Sequence, residues 1–185
     1  VWGGAYGGST EIRGDATVIG SHDTAARSYG LTGGIERAMG NGAMGIALGG
    51  GWSNFSLADG MGSGNAGTFN AGLYANQSFG AFYVAAAAAY GYHGVTTVRA
   101  VPADTIRGDF AAHSWSGRVE GGYRLETPMA TIAPYAAVQA ISYGMPGYSE
   151  TSINSGAFAL DYDARTVTAT RVEFGARLEH LIALG

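Results

Sequence analysis

The sequence contains no cysteine and no lysine, only four prolines, and no apolar run near the roughly 18 residues that a membrane-spanning helix requires. Without cysteine there is no disulfide framework and no thiolate metal site. All ten cations are arginine, the net charge is -4 and no basic stripe is visible, which argues against a nucleic-acid partner. Charged residues make up only 13% of the chain. The longest apolar patch, Ala81 to Tyr92, is too short for a helical span and carries Gly91. Strands of a membrane barrel remain compatible with this pattern, because they are apolar on one face only. The start, Val1-Trp2-Gly3-Gly4, lacks the basic region and apolar core of a signal peptide, so the chain reads as a mature piece or a section of a longer precursor.

What is abundant is glycine, 32 of 185 residues, roughly 17% against an average usage of about 7%. The glycines lie among aromatic and aliphatic residues without a G-X-Y period, which excludes a collagen or a simple linker. Around them the sequence alternates with period two in blocks of about 10 to 14 residues, the length of a tilted membrane-spanning strand. Eight blocks are predicted. The first four are Val1 to Thr10, with Trp2 and Tyr6 on one face, then Ala25 to Arg37, Ala43 to Ser53 and Gly67 to Ser78. The fifth, Ala81 to His93, places Phe82 and Val84 at one end and Tyr90 and Tyr92 at the other, with Ala86 and Ala88 between, as two aromatic girdles flank an apolar band.

The sixth and seventh blocks form a hairpin within Phe110 to Gln139. Trp115, Val119 and Tyr123 share one face of the sixth; Ser116, Arg118 and Glu120 share the other. In the seventh, Ile132, Val138 and Ala140 oppose Thr131, Tyr135 and Gln139. The eighth, Thr166 to Leu181, sets Val172, Phe174 and Leu178 against Arg171, Glu173, Arg177 and Glu179.

Connections after blocks two, four and six are short: Met39-Gly40-Asn41-Gly42, Phe79-Gly80 and Glu126-Thr127-Pro128. Those after blocks one, three, five and seven, Glu11 to Thr24, Asn54 to Ala66, Gly94 to Asp109 and Met145 to Arg165, are expected to be long and polar. Such alternation predicts an antiparallel up-and-down transmembrane β-barrel with its short turns at one end. Isolated charges in a dry core would cost several kcal/mol each, whereas charges paired across a wet lumen cost little. The expected lumen-lining set is therefore Arg118, Glu120, Gln139, Arg171, Glu173, Arg177 and Glu179. The expected lipid-facing and girdle set is Phe82, Tyr90, Tyr92, Trp115, Tyr123 and Phe174.

No catalytic constellation emerges, and neither a metal nor a cofactor is expected. The histidines, His22, His93, His113 and His180, show no metal-ligand spacing, and His113 and His180 fall on the lipid faces near strand ends. His113 and Ser114 are adjacent, so they point to opposite faces of a strand and cannot pair; only a nonlocal partner could. The run Gly42 to Gly51 lacks the GK[ST] ending of a phosphate loop, and its glycines fit curvature and the packing of large neighbours.

The stretch SWSGRVEGGYRLETPMATIAPYAAVQA from Ser114, with GYSE at Gly147 to Glu150 and TRVEFGARLEH at Thr170 to His180, resembles the C-terminal translocator barrel of autotransporters, the type Va secretion family. VWGGAYGG, SYGLTGGIER and GAMGIALGGGWSNF resemble its first three strands. The matching positions are Glu120, Gly121, Gly122, Tyr123, Pro134, Tyr135, Glu173, Gly175 and Arg177, and the resemblance gives them structural and lumenal roles. It implies a twelve-stranded, non-enzymatic outer-membrane barrel of a Gram-negative bacterium that anchors and helps export an N-terminal passenger. Its implied partners are outer-membrane lipid, the barrel-assembly machinery and its own passenger segment. Eight strands fit, so residues 1–185 are expected to form a single, incomplete barrel domain of about two thirds of a translocator. The alternative is a self-contained eight-stranded surface barrel acting as an adhesin through loops such as Gly94 to Asp109.

Overall fold

The computed structural model of the chain describes residues 1–14, 22–102, 104–127, 130–154 and 156–179. Eight long strands run in sequence order through one antiparallel sheet: β1 Trp2–Ile12, β2 Thr24–Met39, β3 Gly42–Leu57, β4 Gly62–Phe79, β5 Phe82–Val101, β6 Asp104–Tyr123, β7 Thr131–Met145 and β8 Arg165–Glu179. Each pairs with its predecessor and its successor, so the sheet is a meander without crossovers. The only helical residues among those described are the single 3-10 turn Ala58–Gly60.

Two turns show how the meander is made. Gly40 and Gly80 each hold the first central position of a two-residue hairpin loop, at φ 58° and 62°, where a side chain would be strained. After β6 the chain breaks at Arg124, Leu125–Glu126 pair with Ile132 and Thr131, and the Thr127 N–H bonds the Ala130 carbonyl. Pro128 of the predicted short turn lies outside the described residues, as do His180 and Leu181.

Register locks the faces. Residues directly opposite in an antiparallel pair point the same way. One row therefore passes through Glu36, Gly45, Tyr74, Ala87, Arg118, Gln139 and Arg171, from β2 to β8. The row beside it, Met44, Ala75, Ala86, Val119, Val138 and Val172, points the other way. Buried residues on the long strands all belong to the first parity, including Tyr83, Ala112, Ser114, Glu120, Ala133 and Ala137. The second parity is open, from Leu31 and Leu73 to Phe174, which is 80% exposed. Side chains converge on a concave face and splay on a convex one, so the sheet is a half-barrel whose inner face carries the charges. β1 and β8 end the strand order and do not pair with each other.

Two of the four expected long connections prove to be tight. β3 and β4 are joined by Ala58 to Met61, and β5 and β6 by Pro102 and residue 103, because the strands continue through the segments expected to be loops. β5 and β6 reach 20 residues each. Val95, Thr96, Thr97 and Val98 are β-branched and suit the pleat, and strand length is not limited by membrane thickness once a hairpin protrudes beyond it. The Gly94 to Asp109 surface loop of the adhesin alternative is thus a continuous hairpin.

Candidate functional site: the inner wall and its ionic ladder

The inner face of β5 to β8 is organised around Glu120, which is only 6% exposed. Its carboxylate accepts hydrogen bonds from the Tyr83 hydroxyl at 3.0 Å, Arg118 Nη2 at 2.8 Å and Arg177 Nη2 at 2.9 Å; Arg177 Nη1 also contacts it. Glu173 accepts from Tyr135 at 2.6 Å and from Arg118 Nη1 at 3.3 Å, and lies 3.2 Å from Arg171 Nη2. The result is a chain of alternating sign, Arg171, Glu173, Arg118, Glu120, Arg177, spanning β6 and β8 across β7. Arg118 bridges the two carboxylates and Arg177 forks onto Glu120 from β8, which fixes these strands relative to one another. Arg177 also stacks over the Tyr135 ring, 4.2 Å from its centroid.

Among the expected lumenal residues, Arg118, Glu120, Arg171, Glu173 and Arg177 are thus joined in one network. Gln139 stands between Arg118 and Arg171 in register. Glu179 is the last residue of β8, opposite Thr131, and its side chain lies outside the described residues.

Sequence reasoning missed Tyr83, which bonds Glu120 and accepts from Arg177 Nη1 at 2.7 Å. The signal was its parity: it alternates with Phe82 and Val84 and shares the face of Ala85 and Ala87. Arg124 lies over the Tyr83 ring and donates to Ser78 Oγ at 2.9 Å.

Aromatic residues on this wall lie over glycines of the adjacent strand. Tyr83 covers Gly122, Tyr135 covers Gly175, Tyr74 covers Gly45, and Tyr6 covers Gly30; a Cβ at any of these glycines would come within 2.7 Å of the ring or hydroxyl. Trp2 covers Gly34 and donates from Nε1 to the Tyr74 hydroxyl at 2.7 Å. Both aromatic residues of β1 therefore turn inward, filling space that the glycines leave, although apolar bulk elsewhere marks the outer face. The glycine-rich strands pack large neighbours, as their composition suggested.

A nonlocal serine and histidine do meet on the inner face: Ser114 Oγ lies 2.9 Å from His93 Nε2, beside Asn70 and Tyr143 and over bare Gly91. Acyl transfer would need a group orienting the imidazole and free oxyanion donors. No carboxylate hydrogen-bonds His93 among the described residues, and Ser114 sits mid-strand between Gly91 and Tyr143. The contact fits a structural hydrogen bond.

On the outer face, Tyr90, Tyr92, His113 and Trp115 form one aromatic cluster. The Tyr90 hydroxyl is 2.6 Å from His113 Nδ1, and the rings of Tyr90 and Trp115 are 4.9 Å apart. Phe82 and Tyr123 are register partners at the opposite end. From Phe82 to Tyr92, at about 3.3 Å per residue and a tilt near 40°, is roughly 25 Å. Phe174 stands on the same face in β8, opposite Ala136.

The family profile described as "Autotransporter beta-domain" matches residues 1–185. The chain belongs to the autotransporter β-domain family. That places it among the outer-membrane β-barrels of type V secretion. No curated protein sequence matches the chain. Among solved structures, it is similar to the translocator domain of the autotransporter NalP from Neisseria meningitidis, with a TM-score of 0.80 and 16% identity, over 94% of this chain and 59% of that one. It is also similar to the beta domain of the Bordetella autotransporter BrkA, with a TM-score of 0.63 and 23% identity, over 98% of this chain and 72% of that one. This autotransporter β-domain sequence therefore spans 59% of the NalP translocator domain, and the likeness is one of fold.

Proposed function

We propose that this chain forms part of the wall of a non-enzymatic outer-membrane translocator barrel that anchors an N-terminal passenger and helps to export it. Arg118, Glu120, Gln139, Arg171, Glu173, Arg177 and Glu179 line its lumen. Phe82, Tyr90, Tyr92, Trp115, Tyr123 and Phe174 face lipid or its interface, and the barrel-assembly machinery inserts it.

The observation that carries this reading is the two-faced sheet: an outer band of roughly 25 Å between aromatic rows, the height of a membrane barrel's apolar belt, backed by a charge-paired inner face. Backbone groups within lipid must be bonded inside the protein, which a continuous antiparallel ladder does. A wet wall whose charges are mutually neutralised holds an extended polar chain weakly, as passage requires.

The test expresses the complete gene in a Gram-negative host with an epitope at the passenger end. Surface exposure of the epitope, by antibody or protease on intact cells, is expected, and is expected to disappear when residues 110–139 are deleted. An epitope equally exposed after the deletion would overturn the proposal.

A further inference from the structure

Beyond the aromatic row of Tyr92 and His113, the β5–β6 hairpin continues for roughly 30 Å along the strand, from Tyr92 to Val101. Its outer face there is polar, with the Asp109 carboxylate accepting from both the Thr96 hydroxyl and Arg107. Its inner face is covered by the connection between β7 and β8. Thr151 and Ser152 pair with Arg107 and Ile106, extending the sheet along the edge of β6 that β7 leaves free above His113. Tyr148 stacks on Phe110 at 4.3 Å and on Tyr162 at 4.8 Å. Ile106 beneath is 0% exposed.

Two buried carboxylates hold this cover. Glu150 receives a forked bond from Arg99 of β5, at 3.0 Å from Nε and 2.6 Å from Nη2, and the Leu160 N–H at 3.1 Å. Arg99 Nη2 also donates to the Phe158 carbonyl at 2.6 Å. Asp104 at the tip of β6 accepts from Ser152 Oγ at 2.7 Å and from the Thr105 and Asn154 N–H groups. The Arg99 guanidinium holds the Glu150 carboxyl below its ordinary range.

We propose that the segments 147–154 and 156–162 form a latched strap that narrows the outer mouth of the lumen, with Arg99–Glu150 and Asp104–Ser152 as its latches. This rests on the reading of the inner face as a lumen wall. In the strap, Thr151 and Ser152 continue the wall beside β6, while Tyr148 and Glu150 reach over the concave side onto Phe110 and Arg99. Its sheet pairing to the barrel is two residues long, against the 20-residue ladder between β5 and β6. Beside this short ladder and the Tyr148–Phe110 stack, the attachment consists of side-chain bonds, and a segment so held opens without unfolding the strands. Ile153, Phe158 and Leu160 on the strap are exposed, so the apolar surface that release uncovers on the hairpin is that around Ile106 and Phe110.

Because the chain has no cysteine, one introduced thiol reports the strap. Ile106→Cys is labelled with a hydrophilic maleimide, and Ala100→Cys on the exposed outer face serves as reference. Glu150→Gln is expected to raise labelling at position 106 by about tenfold or more, the scale on which losing a charge-assisted hydrogen bond shifts an opening equilibrium. Labelling at position 100 is expected to stay unchanged. Arg99→Glu combined with Glu150→Arg is expected to restore slow labelling, which separates the latch from general misfolding. In cells carrying the complete gene product, Glu150→Gln is expected to increase uptake of a large hydrophilic antibiotic. Equal labelling in parent and variant, or faster labelling without increased uptake, would overturn the strap. Labelling is also read on the complete gene product in detergent, where export plays no part, so loss of epitope display with the labelling contrast intact would count against export alone.

Discussion

Glu120 shows at the scale of one residue how a charge can be buried in a wall. Three donors converge on a carboxylate that is 6% exposed, so its desolvation is met by hydrogen bonds as well as by charge. Glu120→Gln keeps the shape but leaves Arg118 and Arg177 short of a counter-charge, and is expected to cost about 1 to 3 kcal/mol. The check is a lowered thermal transition of the membrane-inserted protein. Gly122→Ala would bring a Cβ to 2.5 Å from the Tyr83 ring, displacing the hydroxyl that bonds Glu120. A double-mutant cycle of Gly122→Ala with Tyr83→Phe should therefore show coupling, whereas Gly8→Ala, whose Cβ meets nothing within 4 Å, should be silent. The charged members of this site were legible from alternation alone. Tyr83 was not, because a tyrosine reads as apolar on one count and polar on another, and only register places it beside Glu120. Trp2 and Tyr6 escaped for a related reason: composition does not reveal that the neighbouring strand offers glycine rather than bulk.

A strand is the scale at which the two faces must differ in tolerance. Val119 is exposed on the outer face, in the row between the aromatic ends, while Ser116 stands on the inner face two positions from Arg118. Val119→Arg is expected to harm insertion by about 2 to 4 kcal/mol near the bilayer midplane, and Ser116→Asn to be mild. Folding titrations into lipid vesicles measure both, and equal tolerance would overturn the assignment of faces. The same alternation that fixed the faces misplaced the strand ends. Polar, β-branched residues above the aromatic row fit a water-exposed strand as well as a loop, and nothing local separates the two until cross-strand partners are known. Asp109 is one such partner. Arg107 and the Thr96 hydroxyl lower its pKa to about 2, against an ordinary value of 3.8. A carboxylate held low in the fold stabilises fully above its unfolded pKa and loses that contribution as pH falls toward about 2. Protection of the backbone amides around Thr96 and Asp109, taken relative to their intrinsic exchange rates, is therefore expected to fall between pH 4 and 2, and less so in Asp109→Asn.

For the molecule as a whole, the decisive fact is that β1 and β8 close on nothing in this half-barrel. The meander, its order and its antiparallel sense were readable from the sequence, because each hairpin is specified by local turns and period-two faces. Closure was not, since it depends on curvature summed over every strand and on which edges meet. An open edge leaves N–H and C=O groups without partners, and lipid cannot supply any. The sheet must then acquire further strands at both edges, or bring β1 and β8 together, before it is stable in a bilayer. A closed barrel resists dodecyl sulfate and migrates faster unheated than boiled. The 185-residue chain refolded alone into detergent is expected to show no such shift and to expose β1 and β8 to protease. If the gene encodes further strands, the same residues joined to them are expected to show the shift and to gain protection at both edges. A heat-dependent shift in the isolated chain, with β1 and β8 protected, would mean that these two strands pair directly and that eight strands suffice.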